Sequence, residues 1–282
     1  MIKYALAALA ALIIILVVIY TVGYYRATKL PDNRPAVFIL QNKNPEKKVV
    51  VCIGDSITHG RVSCNYVDIL SEKMEGDGFI FVNAGINSEL AWNALQRVDE
   101  VIRCDPDYIT ILIGSNDANG SLRDSTARHQ MKEMKLPQYP DREWFRKNLS
   151  SLCDILRTKT KARIALLSLP PIGEDNNHEA FRRTGEYSAI IKEIAAGKNV
   201  SYIPLHENMR TYLADKTCSP PSPYDQHEMM MYKAIFMNTI MGTSFNDIST
   251  TNGFSLMTDY LHLNCKGATM TADLIENFLL QK

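Results

Sequence analysis

The sequence predicts an α/β domain built on a mostly parallel sheet with helices on both faces, preceded by one N-terminal transmembrane helix. Three observations carry this expectation. An uncharged apolar run opens the chain, five short apolar runs rich in β-branched residues follow, and helical patterns alternate with those runs.

The opening run extends from Tyr4 to Tyr25, 22 residues without a charge. At about 1.5 Å per residue it reaches about 33 Å, enough for a hydrocarbon layer of roughly 30 Å. Tyr20, Tyr24 and Tyr25 gather at its end, where aromatic rings suit the membrane–water boundary. A cleaved signal peptide is the competing reading, but its apolar stretch would be shorter and Thr21-Val22-Gly23 makes a poor cleavage site. Residues 1–26 are therefore read as a membrane anchor, 27–47 as a polar, Pro-containing linker, and 48–282 as the folded domain. Arg26, Lys29 and Arg34 after the run slightly favour a cytoplasmic domain by the positive-inside rule. The very short tail before the run is the usual layout of an exported one. The expectation adopted is a single-pass anchor with an extracytoplasmic domain, periplasmic or lumenal.

The first expected strand is Val49-Val50-Val51-Cys52-Ile53, led in by Lys48. Five consecutive apolar residues suit a strand covered on both faces. Similar runs stand at 79–82, 108–113, 164–169 and 200–203. Helical patterns cover 66–74, 90–102, 143–157 and 179–196. In such sheets, chemistry gathers at the carboxyl ends of the strands.

Composition adds exclusions. Hydrophobic residues make up 46% of the 282 and charged residues 22%, an ordinary globular balance. Lys plus Arg and Asp plus Glu are both 31, so no general attraction to nucleic acid or to an anionic surface is expected. The six cysteines allow disulfides, although Cys52 and Cys153 read as buried free thiols, and no spacing suggests structural zinc.

Three polar motifs fall where the strands end: Gly54-Asp55-Ser56-Ile57-Thr58, Asn83-Ala84-Gly85-Ile86-Asn87-Ser88, and Gly114-Ser115-Asn116-Asp117. A fourth, Asp259-Tyr260-Leu261-His262, lies near the C-terminus. Each alone is a common turn or loop sequence. Together they supply what acyl transfer needs. A serine hydroxyl becomes nucleophilic when a base takes its proton, and His262 is suited to that task for Ser56. A carboxylate must hold the imidazole, and Asp259, three residues away, reaches it if the segment makes a helical turn. Asp117 is the rival partner, better read as fixing its own loop. Donors for an oxyanion are the Ser56 N–H, the Asn116 amide and an N–H after the second strand.

These blocks resemble the SGNH, or GDSL-type, esterase/lipase hydrolase superfamily over roughly residues 48–280. The segment from Gly54 to Gly60 is similar to the family's nucleophile block, Gly114–Asp117 to its G-x-N-D block, and Asp259–His262 to its D-x-x-H block. The resemblance implies a flavodoxin-like three-layer α/β/α fold, ester hydrolysis, and no metal or cofactor. It also implies Asn116 as an oxyanion donor. One block departs: the family's loop glycine aligns with Ser88, while the nearby glycine is Gly85. Either the Ser88 backbone N–H serves, or Gly85 is brought to the site instead.

His59 reads as a loop residue shaping the cleft, and His129, His178, His206 and His227 as surface or structural groups. Residues 218–259 break the alternation and are rich in Met, from Met229-Met230-Met231 to Met241. Flexible Met side chains suit an adaptable acyl pocket or a lid touching the membrane; the plainer reading is a helix covering the core. With an anchor present, the expected substrate is an acyl ester of a lipid or lysolipid, and the expected partners are that small-molecule or lipid ester and the membrane, without nucleic acid. Alternatives are an O-acetylesterase of envelope polysaccharide, a catalytically impaired binding protein on the same fold, and an acyltransferase using the same residues.

Overall fold

A computed structural model describes residues 2–41 and 44–281. In chain order its helices are α1 (Ile2–Thr28), α2 (Pro35–Phe38), α3 (Ser56–His59), α4 (Tyr66–Lys73), α5 (Ala91–Gln96), α6 (Val98–Arg103), α7 (Ser115–Gly120), α8 (Asp124–Glu133), α9 (Arg142–Lys159), α10 (Glu179–Lys198), α11 (Leu205–Leu213), α12 (His227–Thr239), α13 (Phe245–Thr251) and α14 (Cys265–Leu280). The strands are β1 (Lys48–Gly54), β2 (Phe79–Gly85), β3 (Tyr108–Leu112), β4 (Arg163–Leu167) and β5 (Ser201–Ile203).

The strands form one sheet in the order β2-β1-β3-β4-β5, with every neighbouring pair parallel. The chain starts at β1, moves outward to β2, then returns past β1 to β3. This reversal makes the carboxyl ends of β1 and β3 the switch point where such sheets bind ligands. Val49, Val50, Val51, Cys52 and Ile53 are all buried, as expected of a strand with helices on both faces. One helical layer joins α4 to α14, and the other packs α9 against α5, α6 and α10. The expected helix over 90–102 is two helices broken at Arg97, whose side chain turns inward to pair with Glu89 and Glu100.

Lys3–Thr28 is long and apolar enough to cross a membrane and is a candidate transmembrane span. Within it only Gly23 and Ala27 are buried, which separates it from an ordinary core helix. Both lie in the last turns, where α1 meets α12: Gly23 faces Thr239 and Ile240, and Arg26 Nη1 donates to the Thr239 carbonyl at 2.5 Å.

Much of the segment expected as a linker packs on the domain. Asn33 accepts a backbone hydrogen bond from Asn83 (3.1 Å) and donates from Nδ2 to the Phe81 carbonyl (3.2 Å). Pro35 and Phe38 of α2 are buried against β2 and α6. The cause is that β2 is an edge strand, and residues 31–38 cover its unpaired side.

Cys64 and Cys265 form a disulfide that ties the loop after α3 to the first residue of α14. Cys52, Cys104 and Cys153 are free and buried.

Candidate active site

β1 delivers Ser56. Its run ends at Gly54, and α3 begins at once, turning back so closely that a Cβ on Gly54 would lie 2.0 Å from Thr58 Oγ1. Asp55 caps α3, its Oδ1 accepting the Ile57 N–H at 3.0 Å. Burial pushes the Asp55 carboxyl up to about 7. Ser56 thus stands at the first position of a short helix, partly exposed, with its backbone N–H making no hydrogen bond among the described residues.

The last loop delivers His262 and Asp259. Ser56 Oγ lies 2.9 Å from His262 Nε2, and His262 Nδ1 lies 2.9 Å from Asp259 Oδ2. The expected helical turn between Asp259 and His262 is absent. Instead Asp259 Oδ1 accepts the N–H groups of Leu261 (2.7 Å) and His262 (2.8 Å), curling the chain into an Asx-type turn. The bend is closed behind by an antiparallel bridge between Met257 and Leu263. Burial alone pushes the imidazole pKa down, but the Asp259 charge and hydrogen bond outweigh it and hold the ring above its ordinary value. Burial likewise opposes ionisation of Asp259, and the His262 charge with three hydrogen bonds reverses that, holding the carboxyl below its ordinary value. The pair is therefore poised with a negative carboxylate against Nδ1, which leaves Nε2 to face the serine.

Sequence reasoning missed what anchors this bend. Glu174, at the end of the Leu169-Pro170-Pro171-Ile172-Gly173 segment after β4, is buried and accepts N–H groups from Ser255 (2.7 Å), Leu256 (2.7 Å) and Met257 (3.0 Å). The Gly173 N–H donates to the Tyr260 carbonyl at 2.8 Å. Nothing local marked Glu174, because its partners lie about 80 residues downstream.

The loop after β2 holds both glycine-position candidates. Ser88 has φ of +64°, in the left-handed region that glycine favours, and it is exposed. Its N–H makes no hydrogen bond among the described residues. Gly85 is different. It is the last residue of β2, its N–H is taken by Asn83 Oδ1 at 2.9 Å, and a Cβ there would sit 2.2 Å from the His59 nitrogen. Gly85 lets α3 lie against β2, whereas Ser88 adopts the glycine-like backbone.

Asn116 Nδ2 donates to the Glu89 carbonyl at 3.0 Å, which leaves the second amide hydrogen for another acceptor. The Asn116 carbonyl in turn accepts from Gln130 Nε2 at 2.8 Å. Asp117 is not the histidine partner. Its Oδ2 accepts the Ala91 N–H at 3.1 Å, fixing α7 to the start of α5, and burial pushes its carboxyl up to about 7. Glu89 and Arg97 form a buried pair, with Arg97 Nε 3.0 and 2.8 Å from the two Glu89 oxygens, and Arg97 Nη2 donates to the Ala84 carbonyl at 2.7 Å. This pair braces the Ser88 loop and was also invisible in the sequence.

His59 closes α3 and is buried. Burial and the Arg61 charge push its pKa down to about 4. His178 caps α10, His206 Nδ1 donates to the Leu169 carbonyl (3.0 Å), and His227 stacks on Tyr224. A cleft of about 360 Å³ lined by Arg157, Lys161, Arg163 and Asn199 lies at the amino ends of β4 and β5, away from Ser56.

A serine, a histidine and an aspartate joined by hydrogen bonds at the carboxyl edge of a parallel 2-1-3-4-5 sheet are the arrangement of a serine hydrolase on a flavodoxin-like fold. Residues 52–225 match the model of the GDSL-like lipase/acylhydrolase family, a match that includes Ser56, Ser88 and Asn116 and stops before Asp259. The chain belongs to that family and is a carboxylic ester hydrolase.

Solved structures share the fold. The acetyl xylan esterase AlAXEase is 20% identical, with 82% of this chain and 100% of that chain covered and a TM-score of 0.58. A catalytic mutant of Axe2, an acetylxylan esterase from Geobacillus stearothermophilus, is 16% identical, with 86% and 98% covered and a TM-score of 0.60. The lipase/acylhydrolase from Enterococcus faecalis is 21% identical, with 82% and 95% covered and a TM-score of 0.54. No curated protein sequence matches the chain.

Proposed function

We propose that Ser56 is the nucleophile of this hydrolase, His262 its general base and Asp259 the group that orients His262, and that the substrate is an acyl ester of a membrane lipid or lysolipid. The observation that carries the catalytic reading is the unbroken relay of 2.9 Å from Ser56 Oγ to His262 Nε2 and 2.9 Å from His262 Nδ1 to Asp259 Oδ2.

Ser56 Oγ attacks the ester carbonyl as its proton passes to His262 Nε2. The negative oxygen that forms is received by the Ser56 N–H, the free Asn116 amide hydrogen and the Ser88 N–H. His262 then protonates the departing alcohol as the carbon–oxygen bond breaks, leaving acyl-Ser56. Water gives its proton to His262 as it attacks the acyl carbon, and His262 passes that proton to Ser56 Oγ as the acyl–oxygen bond breaks, releasing the carboxylic acid and restoring the serine hydroxyl. Asp259 stays ionised throughout and stabilises the imidazolium.

The lipid reading is supported by the position of the site against the apolar helix. The loop carrying Ser88, which follows the strand beside Ser56, touches the end of α1 through Asn87. A domain held this close to a bilayer meets lipid esters before free metabolites. Residues 1–26 act as the anchor in this reading, with 48–282 as the hydrolase domain. The Cys64–Cys265 disulfide supports an extracytoplasmic domain, since such bonds persist in oxidising compartments.

A second reading, deacetylation of an envelope polysaccharide, is favoured by neighbours of the same fold that are named acetyl xylan esterases. A panel of esters from about two to about sixteen acyl carbons, hydrolysed by wild type and Ser56→Ala, separates the two. Turnover that rises with chain length and vanishes in the variant supports the lipid reading, and turnover confined to acetyl esters refutes it. Failure of a fluorophosphonate probe to label Ser56 refutes the catalytic reading and leaves a binding protein.

A further inference from the structure

The Met-rich helix α12 is partnered on one side only. His227, Met230, Ala234 and Thr239 are buried, whereas Met229, Tyr232 and Phe236 are exposed, at 66%, 65% and 44%. Their spacing of three and four residues sets them on one face. Met241, just beyond the helix, is 64% exposed. Lys233 is also exposed on this face.

This face continues directly from α1. Arg26 bonds to Thr239, and Gly23 has Ile240 and Thr239 within 3.7 Å of where a Cβ would stand. Gly23 lies one turn inside Arg26, level with Tyr24 and Tyr25. With α1 in a bilayer, Ile240 and Met241 sit at the depth where the hydrocarbon meets the headgroups. The other end of α12 reaches the catalytic bend. His227 stacks on Tyr224 at 4.8 Å between ring centres, and Tyr224 meets Tyr260 edge-on at 5.5 Å, inside the Asp259–His262 turn. Charge follows the same axis, with Glu228 at the end remote from α1 and Lys233 nearer to it, where a long basic side chain reaches lipid phosphates.

We propose that the α1-proximal end of this face, Phe236 with Met241, rests on the surface of the bilayer that holds α1, so that an amphiphilic substrate passes from the leaflet along α12 to Ser56. This rests on the lipid-ester reading for the substrate and on α1 remaining attached for the surface.

The test uses the full chain in vesicles of phosphatidylcholine and phosphatidylglycerol, after its intact mass has shown that α1 is present. Tryptophan is placed by Met241→Trp, Phe236→Trp and Met229→Trp in turn, and its fluorescence is read as the increment over wild type, which contains Trp92 and Trp144. Lipids brominated high on the acyl chain are expected to quench the 241 increment by roughly twofold or more and the 236 increment by less, while aqueous iodide quenches 229 best. Iodide quenching at 241 and 236 without bromolipid quenching overturns the proposal. So does protection from both quenchers together with a cross-linked dimer, which makes a second copy the occupant. A mature chain lacking α1 also overturns it. Ser56→Ala retains the quenching pattern, so a failed surface with normal probe labelling of Ser56 leaves the esterase reading standing, and the reverse result leaves the surface standing.

Discussion

Asn87 Nδ2 donates to the carbonyl of Ala27 at 2.8 Å, tying the loop that carries Ser88 to the last turn of the apolar helix. Ala27 is buried, and its carbonyl is one that no further helical turn would satisfy. The bond closes the helix end and links the loop to it.

Asn87→Ala in the full chain removes that tie while leaving Ser56, His262 and Asn116 untouched. We expect kcat on a soluble short-chain ester to fall roughly tenfold with KM little changed, because a misplaced oxyanion donor weakens transition-state binding more than substrate binding. Unchanged kcat would mean that the loop holds its shape without α1.

Ser88 pays for its left-handed backbone, and Ser88→Gly should relieve it. The expected result is a gain of about 1 kcal/mol in stability, read by urea unfolding, with esterase activity equal to wild type or higher. A large loss of activity would show that the hydroxyl, and not the main-chain N–H, is what the reaction uses.

Ser56→Ala and His262→Ala should each lower kcat by roughly a thousandfold or more, and Asn116→Ala by about a hundredfold. Stopped-flow or fixed-time assays against one chromogenic ester suffice. Near-wild-type turnover in any variant removes that residue from the mechanism.

The pH dependence has a definite sign. In the proposed mechanism His262 must be neutral to accept the serine proton, and Asp259 holds its pKa above the ordinary value, so activity should be lost as pH falls through that raised pKa. Asp259→Asn removes the charge. The acid limb of the kcat/KM profile should then move to lower pH, even as the plateau drops by about a hundredfold or more because the ring is no longer oriented. A limb that stays in place would assign it to another group.

Much of this architecture was legible in the sequence because its signals are local. The β1 expectation over Val49–Ile53 differs from the observed Lys48–Gly54 by one residue at each end, since a run of valines has few other stable states. The order of the Ser56, Asn116 and Asp259–His262 blocks was equally readable. The rest is pairing at a distance. Glu174 with 255–257, Arg97 with Glu89 across the length of α5, and Cys64 with Cys265 have no periodicity to betray them. The Asp259–His262 bend illustrates the boundary well. A spacing of three residues suits a helical turn or an Asx turn, and the choice was made by Glu174, which occupies the backbone N–H groups just before it.

Ser56 and His262 are separated by 206 residues, and every strand of the sheet is complete by Ile203. A ribosome adds about 5–20 residues per second, so the serine is made about 10–40 s before its base. During that interval the nascent chain can assemble its whole sheet around a serine that has no proton acceptor. In the proposed mechanism the serine gains its base only when the final segment, which also carries Cys265, emerges. Birth order thus gives the producing cell an interval in which the sheet of this chain can stand assembled and chemically silent.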